Sequence, residues 1–338
     1  ENRHRRRTGR PAGEPAGREP VIVALTLLVA AIIVAVAAPT LLAALSRHVS
    51  PSLALTAWIA SIAGVFFLIG SAVTVLLWPD HAPAEGLVEL AIRCLGSLQH
   101  AAQPWIGESV AGASVVLAVL ATARVARLAR RQLHARSKVR DYHRDVIAVV
   151  ARTDAGPEPI MWLDHPMPLA YSIDGHPGYV VATEGLLAHL NADEQRAVIA
   201  HERAHLRGRH HRIVNICEIL AKAFSFVPLF ALAPPAVRVL VEVAADRAAA
   251  RVTSADTVRS ALSTVSQANS SRPLWALGLI SESTTERLHH LDASTQAPRR
   301  TGPGAYAAAA ALPLVVPAAL AIISLSVVSA AACMLLPT

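Results

Sequence analysis

Aromatic residues are scarce, at 4% of 338 residues, and charged residues make up only 16%. A soluble enzyme of this length carries a more strongly charged surface, so an ordinary water-soluble globule is excluded. Cysteine is equally sparse. Cys94, Cys217 and Cys333 have no paired spacing, which excludes a disulfide framework and a cysteine-held metal site. Acidic charge is the minority sign, with 24 Asp and Glu against 31 Lys and Arg. A basic balance often marks a nucleic-acid binder. Here the arginines cluster beside apolar runs, as they do at the flanks of membrane segments, and no direct nucleic-acid partner is expected.

What the chain has in excess is apolar residues, 53% of the total, gathered in long runs. The fold class expected is a mainly α membrane protein: four transmembrane helices, with an α+β domain between the third and fourth. Residues 1–20 form a basic, Arg-, Gly- and Pro-rich tail expected to be disordered. Residues 21–45 form the first span, long enough for a bilayer and too long for a secretory signal. Residues 53–78 form the second, with Trp58 and Trp78 expected as interface anchors and Gly64 and Gly70 as points of close helix approach. Residues 79–103 connect onward, with an interfacial helix expected near Leu87–Leu98. Residues 105–123 form the third span. It ends in Arg124, Arg127, Arg130, Arg131, Arg136, Lys138 and Arg140, which places the following domain, 124–300, in the cytoplasm. Residues 304–336 form the fourth span, preceded by Arg299 and Arg300. The six arginines in residues 3–18 point the opposite way. The two flanks of the domain are given precedence, since they adjoin it directly.

Within the domain stands His201-Glu202-Arg203-Ala204-His205, an H-E-x-x-H pattern. On a helix, positions i and i+4 share a face, so both imidazoles reach one metal ion. Neutral imidazoles suit zinc, and Glu202 is placed to act as general base toward a water. Asn191 and Glu194 form an N-x-x-E capping box that predicts a helix start just after Asn191. Upstream, Tyr142–Ala151 reads as a helix, and Ile160–Leu163 and Gly178–Thr183 as strands. The second strand is a candidate edge for pairing an extended peptide. Downstream, the helix is expected to continue from His205 through Ile213 to Phe226. Pro228, Pro234 and Pro235 then break it, and Ala236–Val252 resumes.

One zinc ion per chain requires a third protein ligand, and two residues compete for that place. His211 completes H-E-x-x-H-x-x-G-x-x-H, which requires a sharp turn at Gly208 and a later Met turn. The one later methionine is Met334. Glu242, in Glu242-Val-Ala-Ala-Asp246, supplies a carboxylate from a returning helix. Asp246, one turn on, would hydrogen-bond a ligand histidine. Glu242 is favoured, and His210 and His211 are then expected as exposed polar residues.

These segments resemble the BlaR/MecR-type family of integral-membrane zinc peptidases. The likeness rests on Pro168-Leu-Ala-Tyr171, Gly178-Tyr-Val-Val-Ala-Thr183, the run from Glu194 to His205, and Glu242-Val-Ala-Ala-Asp246. It implies a gluzincin-like domain with His201, His205 and Glu242 as zinc ligands and Glu202 as base. It also implies a multi-pass plasma-membrane protein, a homodimer, and cleavage of a cytoplasmic transcriptional repressor in regulatory signalling. The penicillin-binding sensor of better-known members is not expected, because the sequence stops at Thr338. Peptidases of the HtpX type share the zinc pattern and imply membrane-protein quality control instead. A non-enzymatic zinc receptor or scaffold is the third reading, and an intact Glu202 argues against it. Arg287, His289 and His290 are late polar residues among which the sequence chooses no oxyanion donor.

Overall fold

The computed structural model describes residues 19–46, 48–77, 105–154, 160–175 and 178–269, together with 287, 304, 306–309, 311, 315 and 319. In chain order its elements are α1 (Glu19–Ser46), α2 (Pro51–Leu77), α3 (Trp105–Val150), β1 (Arg152–Asp154), β2 (Ile160–Leu163), β3 (Ala170–Ile173) and β4 (Tyr179–Thr183). These are followed by α4 (Glu184–His189), α5 (Ala192–Arg207), α6 (His210–Ala223), α7 (Pro228–Val252) and α8 (Ala255–Asn269). The tail at 1–18, the connection at 79–103 and most of the expected fourth span lie outside the described residues. The described positions of that span are helical.

Among the described residues three helices are long and apolar enough to cross a membrane: Ala24–Ser46, Pro51–Thr74 and Pro228–Val252. The first two lie where the apolar runs place them. The third is α7, which the prolines were expected to interrupt. It starts at Pro228 instead, where a missing N–H costs nothing, and runs through Pro234 and Pro235. Burial of Leu229, Phe230, Pro234, Val237 and Val241 along α7 outweighs the two backbone bonds lost. The expected third span, 105–123, is the first part of α3. That helix runs unbroken for 46 residues, so no structural boundary separates the apolar run from the basic stretch after it.

Two compact units make up the chain. One comprises Glu1–Ile32, Phe66–Val119 and Val315–Thr338; its described elements are segments of α1, α2 and α3. Gly70 there meets no neighbour within 4 Å, so it marks no close helix approach. The other unit, Ile33–Val65 and Leu120–Leu314, holds the rest of those helices, the sheet and α4–α8. Trp58, expected at an interface, is 2% exposed and belongs to the packing of this unit.

The sheet is four-stranded in the order β1-β2-β4-β3. β4 runs parallel to β2 and antiparallel to β3, and β1 runs antiparallel to β2. All five residues of β4 are buried, as a strand covered on both faces requires. Side chains alternate between the faces. Val180 and Ala182 pack with Leu186, Leu190, Ile199 and Ala261 from α4, α5 and α8. Tyr179 and Val181 pack with Ile147 of α3. The Tyr179–Thr183 strand is therefore central, and the edge nearer α5 is β3, which the sequence pattern did not reveal.

β4 enters α4 through a tight turn. Thr183 Oγ1 donates to Met167 O at 2.6 Å and accepts from Leu169 N at 2.9 Å. Gly185 N donates to His165 O at 2.9 Å. A Cβ on Gly185 would meet Pro166 O at 2.2 Å and Met167 C at 2.7 Å, both rigid backbone. Gly185→Ala should therefore destabilise the domain by about 1–3 kcal/mol through overpacking. Chemical denaturation of the detergent-solubilised chain measures this, and a variant of unchanged stability would show that the strand-to-helix turn is not so constrained.

Candidate metal centre

The capping box read from the sequence starts α5. Asn191 Oδ1 accepts from Asp193 N and Glu194 N, each at 3.0 Å, and Glu194 Oε2 accepts from Asn191 N at 2.9 Å. Glu194 also accepts from Ser260 Oγ, so the cap ties α8 to α5. Two turns later α5 presents His201 and His205 on one face. α7 crosses this face on small residues: Ala197, Ala249 and Val258 form a buried cluster with Ala200 and Ala250. Such close approach lets Glu242 and Asp246 of α7 reach the imidazoles.

Ligand atoms of His201, His205 and Glu242 all lie within 4.8 Å of one another. His201 Nε2 and His205 Nε2 are 3.1 Å apart. Each lies 3.5 Å from a Glu242 carboxylate oxygen. Donor atoms of a tetrahedral zinc site, about 2.0–2.1 Å from the ion, are separated by roughly 3.3 Å. The triangle observed fits that size, and three protein donors leave the fourth position to a water or substrate.

Protonation is arranged to suit. His201 Nδ1 donates to Asp246 Oδ1 at 2.9 Å, which directs the Nε2 lone pair toward Glu242 and His205. Burial opposes charge on His201, but hydrogen bonds to Asp246 and Glu242 outweigh it and raise its pKa to about 9. A metal ion held at Nε2 would take the place of that proton. Burial, reinforced by His201, lowers the pKa of His205 to about 3, so His205 is neutral. Glu202 faces the same cavity, of about 200 Å³, as His201, Glu242 and Arg287. Burial raises its pKa, and the His201 charge and a Ser172 hydrogen bond offset part of the rise.

His211 stays outside this triangle, although its ring centroid lies 6.0 Å from that of His205. The chain does turn sharply, as the competing pattern required: α5 ends at Arg207 and Arg209 adopts φ 50. The continuous helix expected through this region is thus two helices. The turn carries His211 to β3, where its Nε2 lies 3.1 Å from Ser172 Oγ. His210, expected to be exposed, is 7% exposed. Its Nδ1 lies 3.0 Å from His205 Nδ1, and its ring covers Gly208, where a Cβ would meet Nε2 at 2.2 Å. The burial follows from the turn at Arg209, which the residue types alone do not announce.

Sequence reasoning placed neither Ser172 nor Arg287 in the site. Ser172 sits on β3, a strand too short to show a period. Arg287 is 41 residues beyond Asp246 in sequence, yet binds it bidentately, with Nε to Oδ2 at 2.8 Å and Nη2 to Oδ1 at 2.7 Å. Its Nη1 lies 3.5 Å from Glu242. Asp246 is 1% exposed, so Arg287 neutralises a charge that water does not reach. His289 and His290 lie outside the described residues. Arg287→Met should lower stability by about 3–5 kcal/mol, the cost of leaving one partner of a buried pair. Denaturant unfolding of the metal-free chain measures it, and a loss below about 1 kcal/mol would mean that His201 alone suffices for Asp246.

Residues 134–272 match the sequence model of peptidase family M48. An 88-residue stretch is 38% identical to a protease HtpX homolog of Limosilactobacillus fermentum (strain NBRC 3956 / LMG 18251), covering 25% of this chain and 28% of that protein. The chain thus matches little more than a quarter of that relative's length. No solved structure matches the chain. The segment that brings His201, His205 and Glu242 together is therefore similar to the M48 peptidases, and it sits in a chain where α1, α2 and α7 are long and apolar enough to cross a membrane.

Proposed function

We propose that this chain is a membrane-anchored zinc endopeptidase. The observation that carries the reading is the triangle of His201, His205 and Glu242, with Glu202 lining the same cavity as His201 and Glu242. The M48 match over the same residues supports it, since M48 peptidases are zinc metalloproteases. His201, His205 and Glu242 would hold the ion. When bound, zinc polarises the scissile carbonyl and acidifies water.

The remaining roles belong to the chain's own side chains. Asp246 fixes the His201 ring through Nδ1, and Arg287 fixes Asp246. Glu202, whose pKa burial raises, takes the proton of the attacking water and delivers it to the leaving amine. Ser172 of β3 lies beside that carboxylate and offsets part of the rise from burial. β3 is the free edge of the sheet on the α5 side, where an extended substrate backbone adds by strand pairing.

The substrate we assign is a cytoplasmic or membrane-associated protein. Two readings of its identity have separate support. The BlaR/MecR-type motifs, from Pro168 to Asp246, favour one regulatory substrate such as a transcriptional repressor. The stretch shared with an HtpX homolog favours a quality-control protease acting on membrane proteins. A homodimer belongs to the first reading, whereas a cytoplasmic face for the domain rests on the basic flanks at Arg124–Arg140 and Arg299–Arg300.

Glu202→Gln keeps the shape of the side chain and removes the base. Cleavage should fall about 10²–10⁴-fold, while zinc content by atomic absorption stays at one ion per chain. Undiminished cleavage would take Glu202 out of its role. The substrate follows from comparing new protein N-termini in cells carrying wild type or Glu202→Gln: one dominant site marks a regulator, and many sites in membrane proteins mark quality control. Chelation of zinc should abolish wild-type cleavage and added zinc restore it; activity that survives chelation would exclude the metal reading.

A further inference from the structure

The turn joining α6 to α7 exposes apolar side chains that the catalytic reading leaves unused. Phe226 is 81% exposed and Leu232 51% exposed. Ser225, Pro228, Ala231 and Pro235 are exposed beside them. An aromatic side chain so bare at the tip of a hairpin marks a surface for another phase or molecule.

The pairing of α6 with α3 shows what lies at that level. Arg136 bonds Glu218 at 2.6 Å, Gln132 bonds Asn215 and Glu218 at 2.8 and 2.9 Å, and Arg124 donates to Lys222 O at 3.4 Å. Rising numbers on α6 thus meet falling numbers on α3, so the helices are antiparallel here. Beyond Lys222 the chain proceeds toward the side of Arg124 where α3 becomes apolar, with Leu120 60% exposed. The far side of the hairpin agrees: Arg238 of α7 returns to Glu218, the partner of Arg136. Everything between Lys222 and Arg238 therefore lies past a ring of cations, and it holds no charged residue.

We propose that the α6–α7 turn, with Phe226 and Leu232 foremost, is seated in the lipid bilayer that the apolar helices cross. Arg124, Arg127 and Lys222 stand at the phosphate level, and the aromatic tip stands below it. Four backbone N–H groups of the turn bond internally, which suits this medium. Phe224 N donates to Leu220 O, Val227 N to Phe224 O, and Phe230 N and Ala231 N to Val227 O. Phe224 and Phe230 close the turn from inside, with ring centroids 5.5 Å apart.

The test replaces Phe226 or Leu232 with the photoreactive residue p-benzoylphenylalanine in the full chain. The protein is placed in nanodiscs of phosphatidylethanolamine and phosphatidylglycerol. A probe at Arg196, exposed on α5, is the water-facing reference. Irradiation followed by mass spectrometry should give lipid adducts several-fold more often at 226 and 232 than at 196. Yields at both positions equal to that at 196 would overturn the proposal. So would adducts mainly to a second copy of the chain, which would make the tip a protein interface. The result is independent of peptidase activity, so its failure leaves the zinc reading standing.

Discussion

Asp246 is a carboxylate sealed from water, and the site is built around what it demands. A buried charge needs partners on every side, and it has two: the imidazole of His201 and the guanidinium of Arg287. Satisfying it locks α7 against α5 in one register. That register places Glu242, one turn earlier on α7, opposite His201 Nε2 and His205 Nε2. The alanines between the two helices make the approach possible, since a larger side chain at Ala197 or Ala249 would hold the carboxylates out of reach. Cation, carboxylate and imidazole form one line, and the metal triangle is its end.

The sheet contributes less charge and more direction. Its central strand β4 is buried on both faces and holds α3 on one side and α5 with α8 on the other. β3, paired to β4, reaches α5 at its edge, and Ser172 stands there between Glu202 and His211. The base and two of the ligands share α5, and the sheet edge meets that helix at Ser172.

What could be read from residues alone was local. The H-E-x-x-H helix and its capping box follow from spacing and side-chain chemistry within some sixteen residues, and both are present as read. Glu242 and Asp246 were legible as a pattern because an acidic pair in an apolar helix requires a reason. The turn was legible only in the competing pattern, at Gly208; its positive φ falls on Arg209, a non-glycine residue whose propensity does not announce it. Strand order was equally hidden: β1 and β3 have three and four residues, too few for a period to emerge. Arg287 reaches Asp246 from a stretch with no pattern at all, and only the tertiary fold makes that pair. The prolines of α7 misled for the same reason, since burial of a long apolar helix outweighed its local preference.

α6 connects these two levels of organisation. Its first residue packs on the metal triangle through His205, and its last turn leads into the exposed apolar tip. Fourteen helical residues extend about 20 Å at 1.5 Å each. With the tip in lipid, the triangle stands about that far along α6 from the bilayer surface. A peptide bond inside the hydrocarbon core would then not reach Glu202. The segment to be cut must leave the membrane, as a loop, a terminus or a partly unfolded stretch does, and must be free to extend along β3. With the tip in lipid, the regulatory and the quality-control substrates proposed above would both have to meet that condition.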